Sequence, residues 1–216
     1  MMKKLVLTAT LIAGGAAVWL YTREDLDWPV TNDRTRGEVV VAFGDSLTRG
    51  FGAADGEAYT DHLSDLLGSP VINAGSDGES TYGGLRRLNQ VLADEPDVVI
   101  ITLGGNDILR RVSLEKTLEN LRQIFERLQQ AGAMVVYAAV DPPLIGSNWN
   151  AAVRNLCRQQ GVLYVPSIMA GLWGDSERMH DSIHPNGLGY RLIAERIHAR
   201  LAPHLENNAM AAGELP

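Results

Sequence analysis

Continuous apolar runs alternate along this chain with stretches in which apolar residues recur every three or four positions. The first run, Glu38–Phe43, is rich in β-branched residues and ends at Gly44, the pattern of a strand buried on both faces. Val71–Ile72, ending at Asn73, Val98–Leu103, ending at Gly104, and Met134–Val140, ending at Asp141, repeat it, and Val162–Val165 is a weaker fifth. Helical periodicity predicts segments from about Ala58 to Leu67, Gly83 to Ala93, Leu114 to Ala131, Asn148 to Gln160 and Leu188 to Leu205. In the third, Leu114, Leu118, Leu121, Phe125 and Leu128 mark a core face, with Glu119, Arg122, Glu126 and Arg127 between them on the solvent side. Strands alternating with helices at this spacing imply right-handed crossovers and a parallel sheet covered on both faces. The expected fold class is α/β, a three-layer α/β/α sandwich.

The N-terminus departs from that pattern. Lys3 and Lys4 precede an apolar run from Leu5 to Tyr21, and Arg23, Glu24, Asp25 and Asp27 restore polarity after it. The run has the form of an export signal, longer than most cleaved h-regions and shorter than most spanning helices. Cleavage after Ala16 or Ala17 is one outcome. Trp19 and Tyr21, which suit an interfacial belt, favour a retained anchor in residues 1–24, with Lys3 and Lys4 on the cytoplasmic side and the domain in the periplasm or outside. Residues 25–37 are polar, carry Pro29 and are expected to be a tether; the domain spans 38–205, and 206–216 are expected to be a disordered tail.

The chain has 216 residues, 45% of them hydrophobic, enough for one domain with a sizeable core. Its formal net charge of −7 argues against nucleic acid as a partner. The lone Cys157 can make neither an intramolecular disulfide nor a cysteine-based metal cluster, and it reads as a buried structural thiol.

In an open parallel sheet, reactive groups gather beyond the carboxyl ends of the strands. The polar exceptions fall there: Gly44-Asp45-Ser46-Leu47-Thr48-Arg49-Gly50 after the first strand, Asn73-Ala74-Gly75-Ser76 after the second, Gly104-Gly105-Asn106-Asp107 after the third. Asp181-Ser182-Ile183-His184-Pro185 closes the connection after the fifth. Ser46 in a glycine-flanked turn suits a nucleophile, although Thr48 stands where a Gly-x-Ser-x-Gly elbow would have its second glycine. By itself such a serine is more often a turn or cap residue. His184 can act as its general base if an acceptor fixes the imidazole tautomer, and Asp181, on the same turn because Pro185 forces His184 out of helical conformation, is that acceptor. Oxyanion donors are expected from the backbone N–H groups of Ser46 and Gly75 and the side-chain amide of Asn106. Asp45 and Asp107 are assigned turn stabilisation and no chemical step.

Together these blocks resemble the four motifs of GDSL/SGNH hydrolases, in order, over about Glu38 to Leu205, and are most similar to the small bacterial acyl-esterase, thioesterase and lysophospholipase branch. The resemblance implies a five-stranded flavodoxin-like sheet, no cofactor and no metal. It also implies Ser46 as nucleophile, His184 as base, Asp181 as orienting acid, and Ser46, Gly75 and Asn106 as the oxyanion hole. The expected function is cleavage of small-molecule carboxylic esters or thioesters, with membrane association through residues 5–21. Leu144, Ile145 and Trp149, beside Pro142 and Pro143, are expected to line an acyl groove or else to pack the loop; Trp173 and Met179 carry the same ambiguity. Two other functions fit less of the pattern. A deacetylase of envelope carbohydrates would use the same triad but lacks an obvious aromatic sugar platform. A phosphate- or flavin-binding module would use the first loop but would not need Asp181 or His184.

Overall fold

The computed structural model describes residues 26–33, 35, 37–141 and 147–212, with backbone alone for 147 and 206–212. In chain order the elements are β1 (Val40–Gly44), α1 (Ser46–Arg49), α2 (Tyr59–Leu67), β2 (Val71–Gly75), α3 (Thr81–Leu92), β3 (Val98–Thr102), α4 (Gly105–Leu109), α5 (Leu114–Gln130), β4 (Met134–Ala138), α6 (Ser147–Gln160), β5 (Leu163–Val165) and α7 (Gly187–Ala212). All paired strands run parallel, in the order β2-β1-β3-β4-β5. This is the expected three-layer sandwich with a five-stranded, flavodoxin-like sheet.

Because side chains alternate along a strand, each central strand feeds two cores. Val40, Ala42, Val98, Ile100, Met134 and Val136 face α2 and α7, meeting Tyr59, Leu63, Tyr190, Ile193 and Ile197. Val41, Phe43, Val99, Ile101, Val135 and Tyr137 face α3, α5 and α6, meeting Leu88, Leu121, Phe125, Val153 and Cys157. Both faces of β1, β3 and β4 are buried, which is why their sequences are unbroken apolar runs. Each large aliphatic side chain so buried contributes about 1.5–3 kcal/mol. Cys157 is wholly buried on α6, and desolvation pushes its thiol far above its ordinary pKa, so it is a structural and unreactive group.

Three segments differ from expectation. The stretch from Leu26 to Asp33 is a strap rather than a free tether. Trp28 donates its indole N–H to Val162 O at 2.9 Å, Thr31 N–H reaches Gly161 O at 2.8 Å, and Asn32 donates to Gln129 O and Ala133 O at 2.8 and 3.0 Å. Leu26, Trp28 and Val30 also pack on the two cores, and that burial holds a segment whose sequence shows no periodicity. Second, α7 continues to Ala212, past Leu205 and into the expected tail; Ala209, Met210, Ala211 and Ala212 are strong helix formers. Third, β2 runs to Gly75 instead of stopping before Asn73.

The apolar run at 5–21 and Leu144 and Ile145 lie outside the described residues. Among the described residues, no helix is long and apolar enough to cross a membrane.

Candidate active site

β1 delivers the first block to the carboxyl edge of the sheet. Asp45 caps α1 by accepting the Leu47 N–H at 3.0 Å, and Gly50 closes the helix in a left-handed conformation with φ +88°. Ser46 is thereby the first residue of a single helical turn, its N–H meeting no acceptor among the described residues. Beneath it, Thr48 bonds Tyr59 OH at 3.0 Å and also the Thr102 hydroxyl, which ties α1 to α2 and β3. Gly44 leaves the space these hydroxyls occupy: a Cβ there would lie 2.1 Å from Thr102 Oγ1 and 2.2 Å from Thr48 Oγ1. Arg87 braces the same edge from below. Its guanidinium donates to Gly44 O and Ala74 O at 3.0 and 2.8 Å, pairs with Glu79 and lies 4.4 Å from the centre of the Phe43 ring.

The segment before α7 brings the other half. Asp181 Oδ1 accepts the N–H groups of Ile183 and His184, each at 2.7 Å, so its carboxylate is fixed by the turn it closes. Its second oxygen lies 2.8 Å from His184 Nδ1, and His184 Nε2 lies 3.0 Å from Ser46 Oγ. Partial burial works to raise the Asp181 pKa, but the bonds from the His184 ring and from the two backbone N–H groups outweigh it and hold the carboxyl down at about 2. An ionised Asp181 selects the tautomer with the proton on Nδ1, leaving Nε2 as the acceptor facing the serine. Phe51 packs on the His184 ring, centroids 4.6 Å apart, and its carbonyl is held by Tyr190 OH at 2.8 Å.

Asn106, in α4, donates to Asp45 Oδ2 at 3.0 Å and also borders the groove that contains Ser46. Asp45 is buried, and desolvation raises its pKa to about 6 despite the Leu47 and Asn106 bonds and the nearby His184. It does more than stabilise a turn, since its two oxygens hold the helix of Ser46 and the Asn106 amide at once. Asp107 is fully buried and fastens the next layer: it accepts the N–H and hydroxyl of Thr81 at the start of α3 and the Thr117 hydroxyl on α5.

The structure does not bring Gly75 into this group. Its N–H is taken by Asn73 Oδ1 at 3.0 Å, it pairs with Gly44 inside the sheet, and a Cβ there would lie 2.2 Å from the Arg49 backbone nitrogen. Gly75 is glycine because α1 crosses the end of β2 in contact with it. The glycine after β2 that borders the groove with Ser46 and Asn106 is Gly78, at φ +69° in the loop before α3, its N–H without an acceptor among the described residues. Arg110 holds that loop by donating to Gly78 O at 2.7 Å. The Asp77-Gly78 pair just after the second block, a common turn dipeptide, was its sequence signal.

The groove has a volume of about 760 Å³ and runs past Ser46 between Phe51, Ile108, Leu109, Val140, Trp173 and Ile183. Trp173 thus takes the lining role. Met179 packs on the core and pairs with Pro185. Trp149 is not among the groove's lining residues; it borders a neighbouring small cavity of about 10 Å³ with Gly104, Tyr137 and Asp141, which shares Gly105, Ile108 and Val140 with the groove. Among the described residues, no three His, Cys, Asp or Glu side chains converge as metal ligands.

A hydroxyl aimed at an imidazole that is in turn held by a buttressed carboxylate, at the carboxyl edge of a parallel sheet, defines a serine hydrolase. The sequence profile of the GDSL-like lipase/acylhydrolase family matches residues 42–192. The chain belongs to that family and is a carboxylic ester hydrolase.

Among its relatives, "Esterase TesA" of Pseudomonas aeruginosa is 27% identical, covering 91% of this chain and 99% of its own. "Thioesterase 1/protease 1/lysophospholipase L1" of Escherichia coli is 29% identical over 80% of this chain and 87% of its own. An arylesterase of Vibrio mimicus is 30% identical over 78% of this chain and 90% of its own. In three dimensions, the crystal structure of TesA superposes with a TM-score of 0.71 at 28% identity, covering 77% of this chain and 99% of that one. The psychrotrophic esterase EstA from Pseudoalteromonas sp., inhibited by monoethylphosphonate, gives 0.70 at 28% identity over 79% and 100%.

Proposed function

We propose that Ser46, His184 and Asp181 form the catalytic triad and that the Ser46 N–H, the Gly78 N–H and the Asn106 amide form the oxyanion hole. The observation that carries this reading is the pair of contacts on one imidazole, 3.0 Å to Ser46 Oγ and 2.8 Å to Asp181 Oδ2. His184 Nε2 takes the Ser46 proton as Oγ attacks the acyl carbon, and the imidazolium is stabilised by ionised Asp181. Collapse of the tetrahedral intermediate expels the alcohol or thiol, which leaves with the proton from Nε2. A water then gives its proton to Nε2, attacks the acyl-enzyme, and releases the acid as the proton returns to Ser46.

The substrates are esters and thioesters with an apolar acyl group. The groove's apolar walls, Phe51, Ile108, Leu109, Trp173 and Ile183, suit a hydrocarbon chain rather than an acetylated sugar. The names of the relatives, esterase, arylesterase and thioesterase/lysophospholipase, are consistent with that range. The protein works outside the cytoplasm, held by the apolar segment 5–21; the sequence of that segment supports this reading. An unchanged immunoblot size on mutating Ala16 and Ala17, equal to the full chain, is the expected result.

The triad is tested with Ser46→Ala. The variant is expected to lose hydrolysis of p-nitrophenyl butyrate and labelling by a fluorophosphonate; full retained activity refutes the assignment.

A further inference from the structure

The strap and the groove lie at opposite edges of the sheet. Apart from two side chains of α7, the strap's hydrogen-bond partners precede a strand or end a helix. Gly161 and Val162 precede β5, Ala133 precedes β4, and Gln129 is in the last turn of α5. Arg200, well down α7, reaches Asp27 and Leu26 O, each at 3.3 Å, and His204 reaches Asp33 at 2.5 Å. Ser46 and Asn106, in contrast, follow strands, and His184 precedes the first turn of α7. From Gly187 to Arg200 alone, α7 rises about 20 Å.

Four residues, Thr22 to Asp25, separate the apolar run from the strap. Fully extended they span roughly 14 Å, less than the chain would need to pass around the domain and turn the groove toward the surface it came from. The strap itself gives no additional slack, because it is fastened to both cores and to α7.

Resting on the reading of 5–21 as a retained anchor and of the groove as an acyl-ester site, we propose that the groove opens away from the bilayer that holds the chain. The enzyme therefore acts on acyl esters dispersed in water and not on the lipids of its own membrane. A bilayer lipid would have to leave the hydrocarbon to reach Ser46, which opposes the reaction by roughly fourfold for each methylene withdrawn. The exposed rim residues Phe51, Leu109 and Ile183 receive the apolar part of a substrate arriving from solution.

The test uses the full chain in phosphatidylethanolamine/phosphatidylglycerol vesicles carrying a short-range nitroxide quencher on the headgroup. A fluorophore is placed at Gln130→Cys, exposed beside the strap, or at Leu109→Cys, exposed on the groove rim. The Gln130 label is expected to be quenched several-fold more than the Leu109 label. Equal or stronger quenching at Leu109, or failure of the chain to float with the vesicles, overturns the proposal. With the unlabelled wild-type chain in vesicles of the same lipids, p-nitrophenyl butyrate is expected to be hydrolysed, and a fluorogenic diacyl phospholipid of the bilayer at least tenfold more slowly than in detergent micelles. Comparable turnover in vesicle and micelle also overturns it. Loss of butyrate hydrolysis with the quenching pattern intact would instead sink the hydrolase reading and leave the orientation standing.

Discussion

Asp45 Oδ2 accepts the Asn106 amide at 3.0 Å while Asp45 Oδ1 accepts the Leu47 N–H at 3.0 Å, so one buried carboxylate sets the position of the Asn106 amide relative to the helix that carries Ser46, the proposed nucleophile. Asparagine at this position has one acceptor oxygen for those two donors and sets an NH2 against the other. Asp45→Asn is expected to lower kcat by about 10- to 100-fold with KM changed less than threefold, within the range for disturbing one oxyanion donor. Steady-state kinetics check it.

The same carboxylate makes stability depend on pH. Burial raises its pKa to about 6, above the ordinary 3.8 of an unfolded aspartate, so ionisation opposes folding. The stabilisation is complete below about pH 4 and is lost as pH rises through about 6, a change on the order of 2–3 kcal/mol. Urea unfolding between pH 4 and 7 is expected to show this slope in the wild type and a flatter one in Asp45→Asn.

Asp181 has the opposite sign. Its pKa is held down at about 2, so its contribution to stability is present above the unfolded value and is lost only as pH falls through about 2. Asp181→Asn is expected to cost about 10²–10⁴ in kcat through a misoriented imidazole, with little change in thermal midpoint at pH 7. A comparable fall in both kcat and thermal midpoint would count against it.

Gly75 and Gly78, the two glycines between Asn73 and α3, are expected to separate cleanly. Alanine at Gly75 meets the Arg49 backbone at 2.2 Å, so Gly75→Ala should destabilise the whole fold. Alanine at Gly78 meets nothing closer than the Arg110 side chain at 3.2 Å and costs about 1–2 kcal/mol through its positive φ. Gly78→Ala is expected to fold and to lose kcat. Melting temperature and kcat measured on both variants decide between them.

Trp28→Ala removes the indole bond to Val162 O and the strap's packing on the core. It is expected to destabilise by about 2–4 kcal/mol with kcat unchanged, because the site lies at the other edge of the sheet. Chemical denaturation paired with ester kinetics tests both halves of that statement.

The layout of strands and helices was legible because β1, β3 and β4 are buried on both faces and the long helices on one, and these burial patterns write themselves as runs and periods. The proposed site residues stood out in the sequence because Ser46 and Asn106 break such a pattern just after a strand, and Asp181 and His184 break it in the connection that leads into α7. Gly75 misled for a related reason. The sequence shows that a glycine follows β2, but not that β2 pairs as far as Gly75, which places it inside the ladder and moves the free N–H three residues on to Gly78. The strap was hidden because its holding contacts are more than 95 positions away in sequence and involve single bonds and two or three apolar side chains. The groove walls Phe51, Leu109 and Ile183 carry no periodic signal because they are exposed loop or short-helix residues.

The hydroxyls of Thr48, Tyr59 and Thr102 lock α1 onto the sheet, and Asp45 locks Asn106 onto α1. His184 and Asp181, the proposed base and its carboxylate, ride instead on a turn fastened by its own backbone. Insertions or substitutions from Trp173 to Glu177, before the turn that carries Asp181 and His184, can therefore reshape what the groove admits without resetting where negative charge is received. Substrate range in this scaffold is free to drift while the geometry of acyl transfer stays fixed.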